Sequence, residues 1–390
     1  MKIDPYKNKE YYQEWKNSVK SGISGISKEN STIILRYLDD MERGANIALG
    51  SPKGARSYHR LNSLKARMCF FAQQFEKKLN LTTITEITED QIINFFSDMR
   101  NGTIKKANGK NYKSSDTYTR IFRAFWHWHQ KVNKKQGIEI KDITVELDTS
   151  EEKPDWVYLT QEEVKYLAEN AKYDYKILIL FLFDSGIRAP TELMNVRVSD
   201  LFNNCKELNI REEASKTFGR RIKLLICGEI LQKYIQDKKL QPQDFLFKLQ
   251  PSAFNRYLKS LGKKLFGDKS SPAGQKYSEL TMYDFRHCSC CYWLPIYKSE
   301  SALKYRFGWK KSEKIHYYSE LLGMRDTVSE DDLLIDVTKT ELEQRLEKTE
   351  KEKEIMKEKL EMMELQLAKI MEFTKRLEFE VKSERKLEAQ

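Results

Sequence analysis

Two adjacent tyrosines, Tyr317 and Tyr318, close the stretch RFGWKKSEKIHYY, and the second stands nine residues beyond Trp309. Neighbours on a helix point about 100° apart, so the two phenols cannot serve one site. Upstream stand groups suited to a phosphodiester: Arg188 in SGIRAPTEL, Lys216 in ASKTFGRRIKLLI, Arg286 in LTMYDFRHCSCCYWL, and Trp309 itself. Each alone is a weak signal, because arginine after glycine is common, a lysine in a turn is usually solvated, and a tryptophan after glycine usually packs. As a set they offer forked cations for phosphate oxygens, an ammonium proton donor and an indole N–H. The run HCSCC, His287 to Cys291, is the other concentration of reactive side chains. Ligands so close on one apolar helix cannot all converge on one ion, and no second pair stands nearby. Buried, reduced thiols are therefore expected there, and no metal. His287 is expected to hydrogen-bond within the fold beside Arg286, and His316 to be solvated. His127 and His129, in FWHWHQ, read as core or DNA-facing packing.

The elements that must carry these residues fall into three blocks. The first, 1–148, reads as helical. STIILRYLDDMERG has a Ser/Thr cap and a terminal Gly, TEDQIINFFSDMRNG repeats that punctuation, and ARSYHRLNSLKARMCFFAQQFEKKLN has apolar residues at helical spacing. Its basic residues, Arg56, Arg60, Lys65 and Arg67, then Lys113, Arg120 and Arg123 among aromatics, are candidate phosphate contacts. A charged, proline-broken stretch, ELDTSEEKPDW, reads as a linker. The second block, 155–325, opens with Thr160 and Glu163 as a capping box. The apolar run ILILFLF reads as a buried helix segment, which stops at Gly186 just ahead of Arg188. ELNIREEASKTFGRRIKLLI reads as two short strands around a turn, and helices resume at QPSAFNRYLKSLGKKLF. In the third block, 338–385, seam positions from Leu342 to Val381, apolar except for Thr349, Lys353 and Thr374, alternate four and three residues apart, a heptad seam that favours self-association.

Composition narrows the class. In 390 residues, 40% are hydrophobic and 12% aromatic, which supports globular folding. No apolar run reaches the roughly 18 residues of a membrane span, and no signal peptide is visible, so a soluble, cytoplasmic protein is expected. From Asp326 onward, 13 basic residues face 19 acidic ones, a net of −6, and the preceding residues carry +17. A basic body implies a polyanionic partner, and the acidic tail another role.

The four motifs, in this order, resemble the tyrosine recombinase (phage-type integrase) family. GIRAPTEL resembles its first box, Lys216 its β-hairpin lysine, YDFRH its second box, and GWKKSEKIHYY its last, with Tyr318 at the final position. Two departures stand out. Glu192 comes four residues after Arg188 where the family's acidic residue usually comes three after. Tyr283 stands where members most often have His, and a phenol with a pKa of about 10 is a poor proton shuttle at neutral pH. That position is therefore either mainly structural or the mark of a slower enzyme.

The resemblance implies a mainly α fold with a small β element: a helical core-binding domain, a mixed catalytic domain and the coiled-coil tail. It implies Tyr318 as nucleophile, forming a 3′-phosphotyrosyl intermediate, with Arg188 and Arg286 on the non-bridging oxygens and Lys216 as proton donor to the leaving 5′-oxygen. Trp309 and Tyr283 complete the set. No metal, ATP or other cofactor is implied. The partners would be double-stranded DNA attachment sites, exchanged by a homotetramer through a Holliday junction, in a mobile element or a chromosome-dimer resolution system. A type IB-like topoisomerase or telomere resolvase would use the same groups and differ in its products. A non-catalytic DNA-binding protein assembled by its coil is the alternative of another class.

Overall fold

The computed structural model describes residues 2–45, 54–150, 155–297 and 299–321, and scattered helical residues between 349 and 371. The chain divides into two compact units, Met1–Leu322 and Gly323–Gln390.

The first unit contains two hydrophobic cores. One is built on helices α1 (Asn8–Ser18), α2 (Lys28–Arg43), α3 (Tyr58–Leu79), α4 (Glu89–Arg100) and α5 (Ser115–Lys134). Leu61, Leu64, Met68, Phe71 and Phe75 recur at helical spacing on α3 and are all buried. Phe71 meets Phe96 and Phe122 edge-on, with centroids 5.9 and 5.4 Å apart. That arrangement is favourable because the positive ring edge meets a negative face. Helix α2 begins earlier than its sequence suggests. Ser27 caps it, accepting from the Asn30 N–H at 3.0 Å, whereas Ser31 lies buried inside the helix and accepts from the Ile23 N–H. The first turn, Lys28-Glu29-Asn30, is polar, so the apolar pattern starts only after the Ser-Thr pair, which looked like a cap but is interior.

The second core surrounds α7 (Tyr173–Ser185), which follows α6 (Gln161–Glu169). Thr160 and Glu163 form the expected capping box on α6. Helix α7 is apolar on every side and sits at the centre, with Ile177, Ile179, Phe181 and Leu182 all buried. A three-stranded antiparallel sheet of β1 (Leu201–Phe202), β2 (Glu207–Ile210) and β3 (Arg220–Lys223) pairs Leu208 with Ile222. The expected two strands gain a short third. Helices α8 (Gly228–Asp237), α9 (Pro251–Phe266), α10 (Asp284–Tyr297), α11 (Glu300–Phe307) and α12 (Glu313–Leu321) complete the core. Fold class is thus mainly α with a small β element, as expected.

Between the two cores the chain makes polar links. Lys113 pairs with Asp155 at 3.0 Å, and the Asn195 side chain bonds both backbone groups of Ile3, at 2.7 and 2.9 Å. Cys288, Cys290 and Cys291 are buried in α10, and burial raises all three thiols above their ordinary range. Among the described residues no group of His, Cys, Asp and Glu could hold a metal ion, and no helix is long and apolar enough to cross a membrane.

In the second unit, Met356, Leu360, Met363 and Leu367 are helical and exposed. They follow the four-three alternation of the heptad seam. Leu342, Leu346 and the positions from Ile370 onward lie outside the described residues or, like Ile370, are among those left undescribed.

Candidate active site

Three chain turns converge where α7, α10 and α11 meet. Helix α7 ends on Gly186, whose φ of 57° is left-handed, and a Cβ there would collide with the Phe307 ring and the Ser289 hydroxyl. The chain can therefore turn sharply and deliver Arg188 two residues later. One Arg188 nitrogen donates to Glu192 Oε1 and the other to the Gly308 carbonyl, both at 2.7 Å. The Arg188 backbone N–H donates to Glu192 Oε2 at 2.9 Å. The shifted spacing still brings the carboxylate onto Arg188. Glu192 N–H donates to the Arg188 carbonyl at 2.8 Å, so the two form one turn and the i,i+4 side chains meet.

Glu192 also holds Arg220. Arg220 donates to both carboxylate oxygens, at 2.8 and 3.2 Å, and through Nε to the Arg306 carbonyl at 2.9 Å. Both side chains are fully buried. Burial alone would raise the Glu192 pKa, but the Arg220 bonds and the charges of Arg220 and Arg188 outweigh it and hold it at about 2. The sign follows from a folded-state pKa below the unfolded one. The stabilisation is fully present above about pH 4.5 and is lost as pH falls towards 2, and a shift of this size corresponds to about 3 kcal/mol. Glu192→Gln should therefore lower unfolding stability by about 3–5 kcal/mol at neutral pH, because two buried cations lose their counter-ion. The difference from the unaltered protein should shrink between pH 4.5 and 2 in urea titrations. A gap that stays constant across that range would show that Glu192 does not carry this charge balance.

Arg286 lies in the first turn of α10 and is 3% exposed. Its two terminal nitrogens donate to the carbonyls of Gly186 and Phe307, at 2.6 and 2.5 Å. Burial, and then the like charge of Arg188, lower its pKa to about 10, so it stays cationic at neutral pH. Its guanidinium lies 5.3 Å from the Phe307 ring centroid and 5.7 Å from that of Trp309. Trp309 stacks on Phe307 at 5.0 Å and on Tyr318 at 5.8 Å, the latter with planes only 7° apart. Tyr318 is 2% exposed, and burial raises its phenol far above the ordinary range. Its hydroxyl meets His287 Nδ1 at 2.5 Å.

The remaining sequence candidates lie around this cluster. Lys216 is exposed on the β2–β3 connection, and the next hydroxyl, that of Thr217, donates to the same Gly308 carbonyl as Arg188, at 2.8 Å. Tyr283 is 43% exposed just ahead of α10, its ring edge-on to His287 with centroids 5.1 Å apart. The side chains of His316 and Tyr317 lie outside the described residues. Glu192, Arg220 and the His287–Tyr318 bond were not read as part of the site. Alternation along β3 offered a signal for Arg220, since Ile222 faces inward and a residue two earlier shares that face.

In the first core, Arg60 has its pKa lowered by burial and by the charges of Arg56 and Arg67, partly offset by Tyr37. This like-charge group on and beside α3 suits a polyanion. Lys65 lies 4.8 Å from the Trp15 ring centroid, and Arg67 lies 5.0 Å from that of Tyr118. Arg120 is exposed and donates to the Thr149 carbonyl at 3.1 Å, while Arg123 is half-buried on α5. Lys113 is already engaged in its exposed pair with Asp155, an arrangement that contributes little to stability. His127 pairs with Asp142 at 2.9 Å, and His129 stacks on Phe125 at 6.3 Å.

No protein-family model and no curated protein matches the sequence. Solved structures do share the fold. The chain is similar to the Tn1549 transposon integrase in complex with a circular intermediate DNA, at 14% identity and a TM-score of 0.55, over 77% of this chain and 96% of that one. It is similar to a lambda integrase dimer bound to a COC′ core site, at 15% identity and a TM-score of 0.54, over 79% and 82%. It is also similar to the XerH site-specific recombinase in a post-cleavage complex with palindromic difH substrate, at 12% identity and a TM-score of 0.52, over 80% and 91%. At such identities the likeness is one of fold, and it is the fold that the sequence motifs led us to expect.

Proposed function

We propose that this chain is a tyrosine recombinase that cleaves and rejoins DNA strands at specific sites. The observation that carries the reading is convergence. Arg188 and Arg286, 98 residues apart in sequence, both bond backbone carbonyls at residues 307–308, and Trp309 stacks Tyr318 beside them. In this reading the Tyr318 oxygen attacks the scissile phosphorus, the Tyr–O–P bond forms and the P–O5′ bond breaks. Lys216, on its exposed connection, delivers a proton to the leaving 5′-oxygen. Arg188 and Arg286 neutralise the charge on the non-bridging oxygens. The phosphotyrosyl link keeps the bond energy, so a 5′-hydroxyl can reverse the step without ATP or metal.

Arg286 and Tyr318 are buried, so in this reading binding of the duplex must open the site to its phosphate. The cations of the first core, Arg56, Arg60, Lys65, Arg67, Arg120 and Arg123, would hold the duplex through phosphates, with affinity falling steeply as salt rises. Strand exchange would proceed through a Holliday junction in a tetramer, and the tail would associate through Met356, Leu360, Met363 and Leu367, whose exposure suits a partner helix. The closed site also favours a second reading, a DNA-binding protein without cleavage activity.

One experiment separates these. Full-length protein and a truncation after Asp336 are incubated with nicked duplexes of randomised core sequence, and adducts are captured in denaturant and sequenced. Both forms should give adducts at a defined sequence, with the truncation assembling fewer paired-site complexes. No adduct with either form supports the binding-only reading. Loss of single-site cleavage by the truncation, or undiminished pairing, overturns the role given to the tail.

A further inference from the structure

The histidine expected at position 283 is a tyrosine, which leaves the nucleophile without an evident proton acceptor. His287, one turn further along α10, lies where that proton must go. Its Nδ1 stands 2.5 Å from the Tyr318 hydroxyl, the reacting atom of the proposed chemistry. Two aromatic rings hold the imidazole, with Trp156 at 4.8 Å and Tyr283 edge-on at 5.1 Å between centroids. Tyr318 is fixed from its other side by the parallel stack on Trp309. The pair is therefore placed by three elements, α10, α12 and the strand-like segment at Trp156.

We infer that His287 is the catalytic base for Tyr318, an assignment that rests on the strand-transfer reading above. The neutral imidazole protonated at Nε2 accepts the phenol proton at Nδ1 as the Tyr318 oxygen bonds to phosphorus, and the P–O5′ bond breaks with a proton from Lys216. In the reverse step the His287 imidazolium returns its proton to the departing Tyr318 oxygen, and Lys216 takes the proton of the attacking 5′-hydroxyl. An imidazole exchanges protons near neutral pH, which the Tyr283 phenol does not. Tyr283 then serves as an edge-on wall for the ring rather than as a shuttle.

The test compares His287→Ala and His287→Asn with the unaltered full chain, in single-turnover adduct formation on a nicked duplex. Asn can accept a hydrogen bond from Tyr318 yet cannot take its proton, so it separates holding from proton transfer. Both variants should be slower by about 100-fold or more, with DNA binding retained. A second assay uses DNA ending in a 3′-(p-nitrophenyl) phosphate, in a Tyr318→Phe background. There the 5′-hydroxyl displaces nitrophenolate, a leaving group that needs no proton. Adding His287→Asn to that background should leave the rejoining rate within about threefold. An Asn variant that forms adducts at the unaltered rate would reduce His287 to a positioning residue and overturn the assignment. Rejoining slowed as severely as adduct formation would overturn it too, by showing a distorted site. Failure of the unaltered chain to form adducts removes the strand-transfer reading and this assignment with it.

Discussion

Tyr318→Phe abolishes covalent adducts on nicked duplex and leaves DNA binding intact: that is the result expected from the position of its hydroxyl. The phenylalanine ring keeps the stack on Trp309 and loses only the oxygen that meets His287. Loss of one hydrogen bond costs about 1 kcal/mol of stability, or somewhat more where the partner is left buried. The variant should therefore melt close to the unaltered protein. Phenylalanine has no atom that can form an ester with phosphorus, so residual adducts would come from another nucleophile. The candidate is Tyr317, the neighbouring residue in the sequence. Tyr317→Phe should keep adduct formation near the unaltered level. Peptide mapping of the adduct decides the matter, and a phosphotyrosine at Tyr317 would reverse the assignment.

Why the neighbourhood of Tyr318 and Trp309 could be read from sequence while the His287 contact could not follows from the kind of information each needs. The nine-residue step from Trp309 lies within one short segment, so the stack of the two rings follows from local chain geometry. The placement of Arg188 just past a helix end and of Arg286 at the start of an apolar helix was likewise legible, because Gly186 and the start of α10 mark turns in the sequence. The His287–Tyr318 contact joins α10 to α12, 31 residues apart, and depends on how the helices pack. Nothing in YDFRH distinguishes a histidine bonded within its own helix from one reaching another. The Glu192 contact was hidden for a related reason. Its spacing from Arg188 is wrong by one for the expected register, but the 3-10 turn at Leu193–Asn195 and the bond back to Arg188 bring the carboxylate round. The cap of α2 was misplaced because its first turn, Lys28-Glu29-Asn30, is polar, so the apolar periodicity begins only after Ser31 and Thr32.

The seam of the tail is visible in sequence because a heptad repeat is a one-dimensional property. What it would assemble with is not, since a narrow apolar stripe is satisfied equally by parallel or antiparallel partners. The two cores of the first unit are separated along the sequence by a short polar run. In sequence, DTSEEKPD between Leu147 and Trp156 holds no large apolar residue, and the residues on either side of it belong to different clusters, Leu147 to the first and Trp156 to the second.

Arg286→Ala and Arg188→Ala should each slow adduct formation by about 100-fold or more, as loss of a fixed donor to a developing anion does. The two losses differ in character. Arg188 is the more accessible, with a side chain 13% exposed, and is held by Glu192, so its removal leaves Glu192 still paired with Arg220. Its effect should fall on the reaction with little change in stability. Arg286 is buried, and its two bonds satisfy the carbonyls of Gly186 and Phe307. Removing it strands two buried acceptors at about 1–3 kcal/mol each, so Arg286→Ala mixes a chemical defect with a folding one. Arg286→Lys separates them. An ammonium keeps the charge but lacks the planar fork that reaches two carbonyls and a phosphate oxygen together. That variant should fold, bind DNA and still cleave far more slowly than the unaltered chain. Denaturation midpoints and DNA affinities measured beside the single-turnover rates make the distinction. Either arginine replaced without a rate loss beyond about tenfold would mean that the phosphate is neutralised elsewhere, and the site built around Gly308 would not be where the strand is cut.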